Sequence, residues 1–451
     1  MLRRAALVAV LVGLGAILIP LLSPQGQQAP KYHVQGKNNT ILFLTNEHAG
    51  LCNVLLATAY ALLENHPHIQ VHFASFPKLE RRVRETSAFL TTMKTVPGIT
   101  FHPLPGPTYT EALLEFRSET SIIHPPGLAG IDTMAPNLPD FISPWAAGEY
   151  YNIYKAISET IDQVDPAVIA LDTMLAPGFD ATREKRRVHA LVTPNILADM
   201  MPAEQPKYTL FWKYPALGSG FPYPVPWKLI PANIYINFRV IMSFLSAPQV
   251  REKRAFLKEK GLENPVDFMG LYHPEVPWIT QTLPGAHTPL NIIPRNVVLA
   301  GPINLAGTET VSESGAELLA WLQQKPTVLI SLGSGFKYTH HDATVMTEAI
   351  RQVLLATDVQ VLWKMVKLEA YNADFISAAM EEAAGRFRVV KWLDVEPPTL
   401  LQSGHIAAFV HHGGAGCYHD GLSGGVPQVI LPQWVDLYNF AQLVEDLGIV
   451  E

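Results

Sequence analysis

The stretch FVHHGGAGCYHDGLSGGVPQVILPQWVDLYNFAQ, residues 409–442, places two imidazoles, His411 and His412, directly before Gly413, Gly414 and Gly416. The apolar run ending at Val410 reads as a strand and 417–423 as a helix, so 411–416 is a strand-to-helix turn. Glycines there let a backbone approach a ligand without a Cβ in the way. The free N–H groups and the positive end of a helix attract anions. An imidazole at the same place can donate a further hydrogen bond to a phosphate oxygen. Residues of these types at this spacing describe a diphosphate cradle that needs no metal. A tight structural turn is the competing reading.

Further groups gather at other predicted strand ends. SLGS, 331–334, closes one strand with a turn that carries Ser334. Trp392 follows another, where an indole could stack on a flat base. Asp420, in the helix after the cradle, could accept hydrogen bonds from a ribose, and Asp436, after PQVILP, from sugar hydroxyls. In a parallel sheet all of these fall at the carboxyl edge, where α/β proteins bind ligands.

A second kind of chemistry is written in the first half. Asn46-Glu47-His48 follows the first predicted strand. A histidine there points into a cleft and titrates near neutrality, which suits a base for a hydroxyl. Asp172, at the end of the strand AVIALD, is placed to bond the other ring nitrogen and fix the tautomer. With 16 histidines in the chain, most are incidental. His66, His72 and His124 are read as ordinary, His411 and His419 as flanking the site, and Glu47 as a solvated loop residue.

The elements that must position these groups are α/β. A strand at 41–45, a helix at 51–64 and a strand at 70–75 make a β-α-β unit, which implies a parallel sheet. Strands follow at 167–172 and in RRVHALVTP. The segment 207–238 is too rich in proline and aromatics for a central strand or an unbroken helix. It could line an apolar pocket or touch a membrane surface, and a helix follows it. NVVLAG closes the first half, and a polar linker is expected over 308–315. A second series then runs PTVLISLGS, a helix from 342, VQVLWKM, a helix through DFISAAMEEAAG, FRVVKWL, IAAFVHH, the helix after the glycines, and PQVILP. Two doubly wound halves imply a cleft between them.

At 451 residues and 48% hydrophobic the chain is long enough for two such domains. Its net charge of -7 and the lack of a basic stripe argue against nucleic acid. Two distant cysteines, Cys52 and Cys417, make no disulfide framework, and no Cys/His spacing resembles a zinc site. Arg3 and Arg4 precede an apolar run over 5–22, close to the roughly 20 residues that span a bilayer. The expectation is a single-pass anchor within 1–30, with the rest facing the lumen, most simply of the endoplasmic reticulum. The sequon Asn38-Asn39-Thr40 fits that side. The alternative is a signal segment that is cleaved on the secretory route.

The segment 392–442 resembles the nucleotide-sugar signature of the UDP-glycosyltransferase superfamily, whose plant form runs W-x-P-Q, F-x-x-H-x-G-x-x-S-x-x-E, G-V-P and P-x-x-x-D-Q. Phe409, His412, Gly414, Gly425-Val426-Pro427, Pro432 and Asp436 match. The likeness extends over nearly the whole chain after the leader, and PQWVDLYNFAQ is closest to fungal and bacterial members. It implies a GT-B fold, with an acceptor-binding Rossmann-like domain at 38–302 and a UDP-sugar-binding one at 303–451. It implies that Trp392 stacks on uracil, that His412 with Gly414, Gly416 and Cys417 holds the diphosphate, and that Ser334 lies near the phosphates or nucleoside. Asp420 then takes the ribose and Asp436 the sugar, with His48 and Asp172 as the catalytic dyad. No cofactor or metal is implied beyond the UDP-sugar donor.

The expected reaction is inverting transfer of a hexose, glucose first, to a hydroxyl of a small lipophilic acceptor. The sequence departs from the pattern at Asp394-Val395, at Cys417 in place of serine, and at Leu437 in place of the final glutamine. It also stops soon after Asp436, where members of this fold normally continue with further helices. These departures keep open a nucleotide-sugar-binding protein without turnover, and an epimerase or hydrolase on the same fold.

Overall fold

The central strand of the first half is apolar on both faces because both are covered. In the computed structural model, which describes residues 33–116, 122–268, 271–308 and 311–449, β1 (Lys37–Leu44) sends Leu42 and Leu44 into one core and Phe43 into another. Continuous hydrophobic runs of this kind mark parallel strands buried between helices. The other strands of this sheet are β2 (Gln70–Ser75), β3 (Thr100–Pro103), β4 (Pro166–Leu171), β5 (His189–Thr193), β6 (Trp278–Thr280) and β7 (Val297–Leu299). They pair in parallel in the order β3-β2-β1-β4-β5-β6-β7.

The second sheet holds β8 (Thr327–Ser331), β9 (Gln360–Lys364), β10 (Phe387–Val390), β11 (Ile406–His411) and β12 (Gln428–Ile430), parallel in the order β10-β9-β8-β11-β12. Leu329, Leu362 and Phe409 fill the core on one face, and Ile330, Val361 and Trp363 that on the other. The strand order reverses between β1 and β4 and again between β8 and β11. Such switch points open a crevice at the carboxyl ends of the strands. His48 and Asp172 follow the first pair, and Gly333 and His412 the second.

Several expectations change. The short strands β3 and β6 were not legible, and the helical stretch after the proline-rich segment is two helices, Ile230–Ser246 and Pro248–Glu259, parted at Pro248. The expected linker gives way to a helix, Glu313–Leu322, whose Ser312 accepts from the Gly315 N–H. The expected anchor at 1–30 lies outside the described residues, and no described helix is long and apolar enough to cross a membrane.

The two halves meet through an apolar cluster, in which Ile196 packs with Tyr418, Phe440, Leu443 and Val444, and through polar bonds. Arg82 pairs with Glu396 at 2.9 Å, and Gly218 N–H donates to Asn439 Oδ1 at 2.8 Å. Tyr223 N–H donates to Asp446 Oδ2 at 3.0 Å. Asn439 and Asp446 both belong to the last helix, Leu437–Asp446, so the proline-rich segment braces that helix.

Candidate active site

His48 ends the loop after β1 as the N-cap of the helix Ala49–Asn65. A Cβ built on Gly335, in the loop after β8, would stand 4.0 Å from His48 Nε2, so the imidazole faces the second half across the cleft. Burial lowers its pKa, partly offset by Glu47 and reinforced by Lys78. The ring is therefore neutral at neutral pH, as a base must be.

Asp172 does not hold His48 by a direct bond. It is 0% exposed, and both its oxygens serve the loops. Oδ2 accepts from Thr45 Oγ1 at 2.6 Å and from Asn46 N–H at 2.7 Å, and Oδ1 accepts from Met174 N–H at 2.5 Å. Asn46 Oδ1 in turn accepts from His48 N–H at 2.8 Å. Asp172 thus reaches His48 through the Asn46 backbone and side chain, and the direct contact expected from sequence is replaced by this two-step support. Burial raises the Asp172 pKa to about 6, against the pull of its hydrogen bonds. Asn46 Nδ2, beside it, is buried without a partner.

Glu47 is not solvated. Its Oε2 and Oε1 accept from Tyr109 N–H and Thr110 N–H, each at 2.9 Å. It satisfies the first turn of the helix Tyr109–Phe116, an ordinary use of a carboxylate at a positive helix end.

Across the cleft, the helix Ala415–Gly424 starts from Gly414 as its N-cap. The His412 ring is wedged between two glycines. A Cβ on Gly333 would lie 2.5 Å from its Cε1, and one on Gly414 would lie 2.6 Å from its Nε2. Gly333 also needs its freedom for φ +77. A Cβ on Gly416 would meet no other part of the protein within 4 Å, so there is open space beside that residue. His412 Nδ1 is buried with no partner, and burial drives the His412 pKa down to about 3.

His411 is different. Its Nε2–H donates to Gln428 Oε1 at 2.8 Å and its Nδ1 accepts from Gly413 N–H at 3.1 Å, which makes it part of the scaffold. His419 gives its Nδ1–H to Ala415 O at 2.7 Å inside the helix. One ligand atom each of His411, His412 and Cys417 lies within 4.8 Å of the others. With both His411 nitrogens engaged, that trio offers two free donors at most. Burial pushes the Cys417 thiol up to about 12.

The remaining predicted residues ring the same edge. Ser334 is exposed in the loop after β8. Trp392 is 60% exposed, and one ring face is covered by Lys364 Nζ, 3.9 Å from its centroid. Asp420 accepts from Asn304 Nδ2, in the segment that joins the two sheets, at 3.3 Å, and burial raises its pKa to about 7. Asp436 N-caps the last helix and is raised to about 6 by burial. Asp199 of the first half feels its charge and rises to about 8, chiefly through its own burial. Leu437 is buried, its carbonyl 3.0 Å from a Cβ built on Gly413.

Sequence reasoning missed three residues here. Trp434 lies between His412, ring centroids 6.1 Å apart, and Gly335. Lys364 closes β9. His124, read as ordinary, is buried, and its Nε2 accepts from Val435 N–H at 2.9 Å. Its own N–H donates to Gln433 O at 3.2 Å, and Tyr438 Oη donates to its carbonyl. It thereby grips the loop carrying Asp436 from the opposite domain. Val435 holds φ +39, a costly value for a β-branched residue. A basic residue ending a buried strand was the available signal for Lys364, and nothing local marked His124.

With this geometry in view, likeness to known proteins becomes informative. Residues 372–450 match the family model described as erythromycin biosynthesis protein CIII-like, C-terminal domain. The glycosyltransferase sdnJ of Sordaria araneosa is 33% identical over 433 residues, 92% of this chain and 84% of the relative. The chain belongs to the UDP-glycosyltransferase superfamily. This glycosyltransferase shares its fold with a UDP-glucosyltransferase from Polygonum tinctorium capable of glucosylating indoxyl. That structure has a TM-score of 0.55 and 15% identity, with 92% of this chain and 85% of that one covered. It also shares its fold with the glycotransferase of kitacinnamycin, with TM-score 0.56 and 16% identity over 92% and 86%. The fold is GT-B, and the switch-point crevices described above face each other in it.

Proposed function

We propose that this glycosyltransferase moves a hexose, glucose by first expectation, from a UDP-sugar to a hydroxyl of a small lipophilic acceptor, with inversion and without a metal. The observation that carries the reading is the opposition of a neutral His48 and the Gly333–His412–Gly414 wedge across one narrow cleft. His48 removes the acceptor proton. The oxygen forms its bond to the anomeric carbon as the bond to the β-phosphate oxygen breaks, and the diphosphate leaves with the electron pair. Asp172 acts as a positioning residue through Asn46. His412 donates to the diphosphate as a neutral imidazole, alongside the first N–H groups of Ala415–Gly424. Trp392 stacks on uracil with the ring face that Lys364 leaves open, Ser334 lies near the nucleotide, Asp420 accepts from the ribose, and Asp436 from the sugar. An anchor within 1–30 holding the enzyme to the endoplasmic reticulum belongs to this proposal, and carbonate extraction of the full chain tests it.

The deciding experiment is UDP release from UDP-glucose with and without a panel of lipophilic alcohols and phenols, with NMR of the product anomer. Release that requires an acceptor, gives the inverted anomer and is lost in His48→Ala while UDP still binds supports transfer. Release without acceptor indicates a hydrolase, and a changed sugar without release an epimerase. UDP binding with no turnover indicates the binding-only reading.

A further inference from the structure

Among the described residues two lysines are buried to better than nine-tenths, Lys253 and Lys364, and they are treated differently. Lys253 donates to Ser143 O at 2.6 Å and Ser143 Oγ at 3.1 Å, and feels the carboxylates of Asp140 and Glu149. Lys364, 8% exposed, donates to Gly333 O at 3.0 Å and lies against the Trp392 ring. Neither partner carries a counter-charge. Of the two acids whose charge bears on it, Cys417 is a thiol that burial pushes up to about 12, and Glu396 is already paired with Arg82 at 2.9 Å. Burying an ammonium without a charged partner is costly, so its place needs a reason.

Its surroundings supply one. Lys364 ends β9 in register with Ser331, at the same sheet edge as the cradle. The residue whose carbonyl it binds, Gly333, is the one against which the His412 ring is wedged. An ammonium group, its pKa lowered by burial, and a buried, unpartnered imidazole nitrogen thus converge on one loop beside a helix N-terminus. With both cradle histidines held neutral by burial, neither supplies charge to the leaving diphosphate.

We propose that Lys364 is the cationic contact for the diphosphate of a nucleoside diphosphate bound in this cradle. The inference rests on the donor-site reading above and deepens it by naming the source of positive charge. The ammonium takes one face of Trp392, so a base stacks on the other, and the phosphates lie on the Gly333 side.

Calorimetric titration of the full chain with UDP, dTDP, GDP and ADP, each beside its nucleoside, tests this. In Lys364→Met the diphosphate should bind about 10- to 100-fold more weakly, with nucleoside affinity unchanged, and Lys364→Arg should recover most of the loss. Lys364→Gln stands in if the methionine variant does not melt cooperatively. Equal diphosphate affinity in wild type and the neutral variants overturns the proposal while leaving the donor site standing. Equal loss for nucleoside and diphosphate overturns it as well, because the role is then structural. Binding of another diphosphate in place of UDP refutes the base assignment, and Lys364 is then judged on that nucleotide. Binding of none of the four overturns both.

Discussion

A single methyl group at Gly333 measures how tightly the cradle is built. Gly333→Ala places a Cβ 2.5 Å from His412 Cε1 and 2.7 Å from Nε2, at a residue with φ +77. The backbone term for a non-glycine residue in the left-handed region is about 1–2 kcal/mol. The overlap adds about 1–3 kcal/mol, the usual range for overpacking. The ring also lies against Gly414, where a built Cβ would stand 2.6 Å from Nε2, so it has little room to retreat. The sum is about 2–5 kcal/mol, or a fall of about 4–20 °C in the melting temperature of the second domain.

A double-mutant cycle separates the terms. In a His412→Ala background only the backbone term remains, so the coupling energy should be about 1–3 kcal/mol. Thermal melts of the four proteins, read by differential scanning calorimetry, give this number. If Gly333→Ala lowers the melting temperature equally in both backgrounds, the ring is not wedged and the geometric account of the cradle fails.

Other outcomes follow from the same contacts. Asp172→Asn replaces an acceptor by an amide nitrogen against Asn46 N–H or Met174 N–H, so it should lower stability by about 1–3 kcal/mol as well as kcat. A loss of kcat with unchanged melting would instead point to a direct partnership with His48. The acid limb of kcat/KM should have its midpoint below the unperturbed 6.5 of histidine, because burial lowers the His48 pKa. Activity is then present above that midpoint and lost as pH falls through it, and a midpoint above 6.5 that persists in Asp420→Asn, which removes the carboxylate raised to about 7, excludes His48 as the buried base. His124→Leu removes the acceptor for Val435 N–H and should raise KM for UDP-glucose about 10-fold with UDP affinity unchanged. His124→Gln should recover part of this, and equal loss of UDP binding in steady-state and calorimetric assays would contradict a role confined to the sugar loop.

What was legible in the sequence was what local rules govern. Long apolar strands and glycine turns marked both sheets, because a parallel strand needs apolar residues on both faces and a strand-to-helix turn at a ligand site needs glycine. Thr100–Pro103 and Trp278–Thr280 carry too little pattern to separate from loop. The site residues on strand ends reached one edge because the strand order puts them there, and the order follows from the β-α-β pattern. The partners of Asp172, Glu47 and His124 were not legible, since each is fixed by a loop or helix far away in sequence. Glu47 looked solvated only because the helix it caps begins 62 residues later, at Tyr109. Lys364 was overlooked because a lysine closing a strand usually reaches water, and here Trp392 covers it.

The seam between the halves has a consequence for recombining such enzymes. By sheet content the chain divides between Leu299 and Thr327, and a chimera built there would exchange one whole sheet for another. Yet the loop that carries Asp436 is held by His124, and the last helix by Gly218 and Tyr223, all three from the other parent. A transplanted second half therefore arrives without its clasp unless residues 122–130 and 216–223 travel with it. The unit of exchange is discontinuous along the chain, and grafts that respect it should keep donor preference where simple cut-and-join fusions lose it.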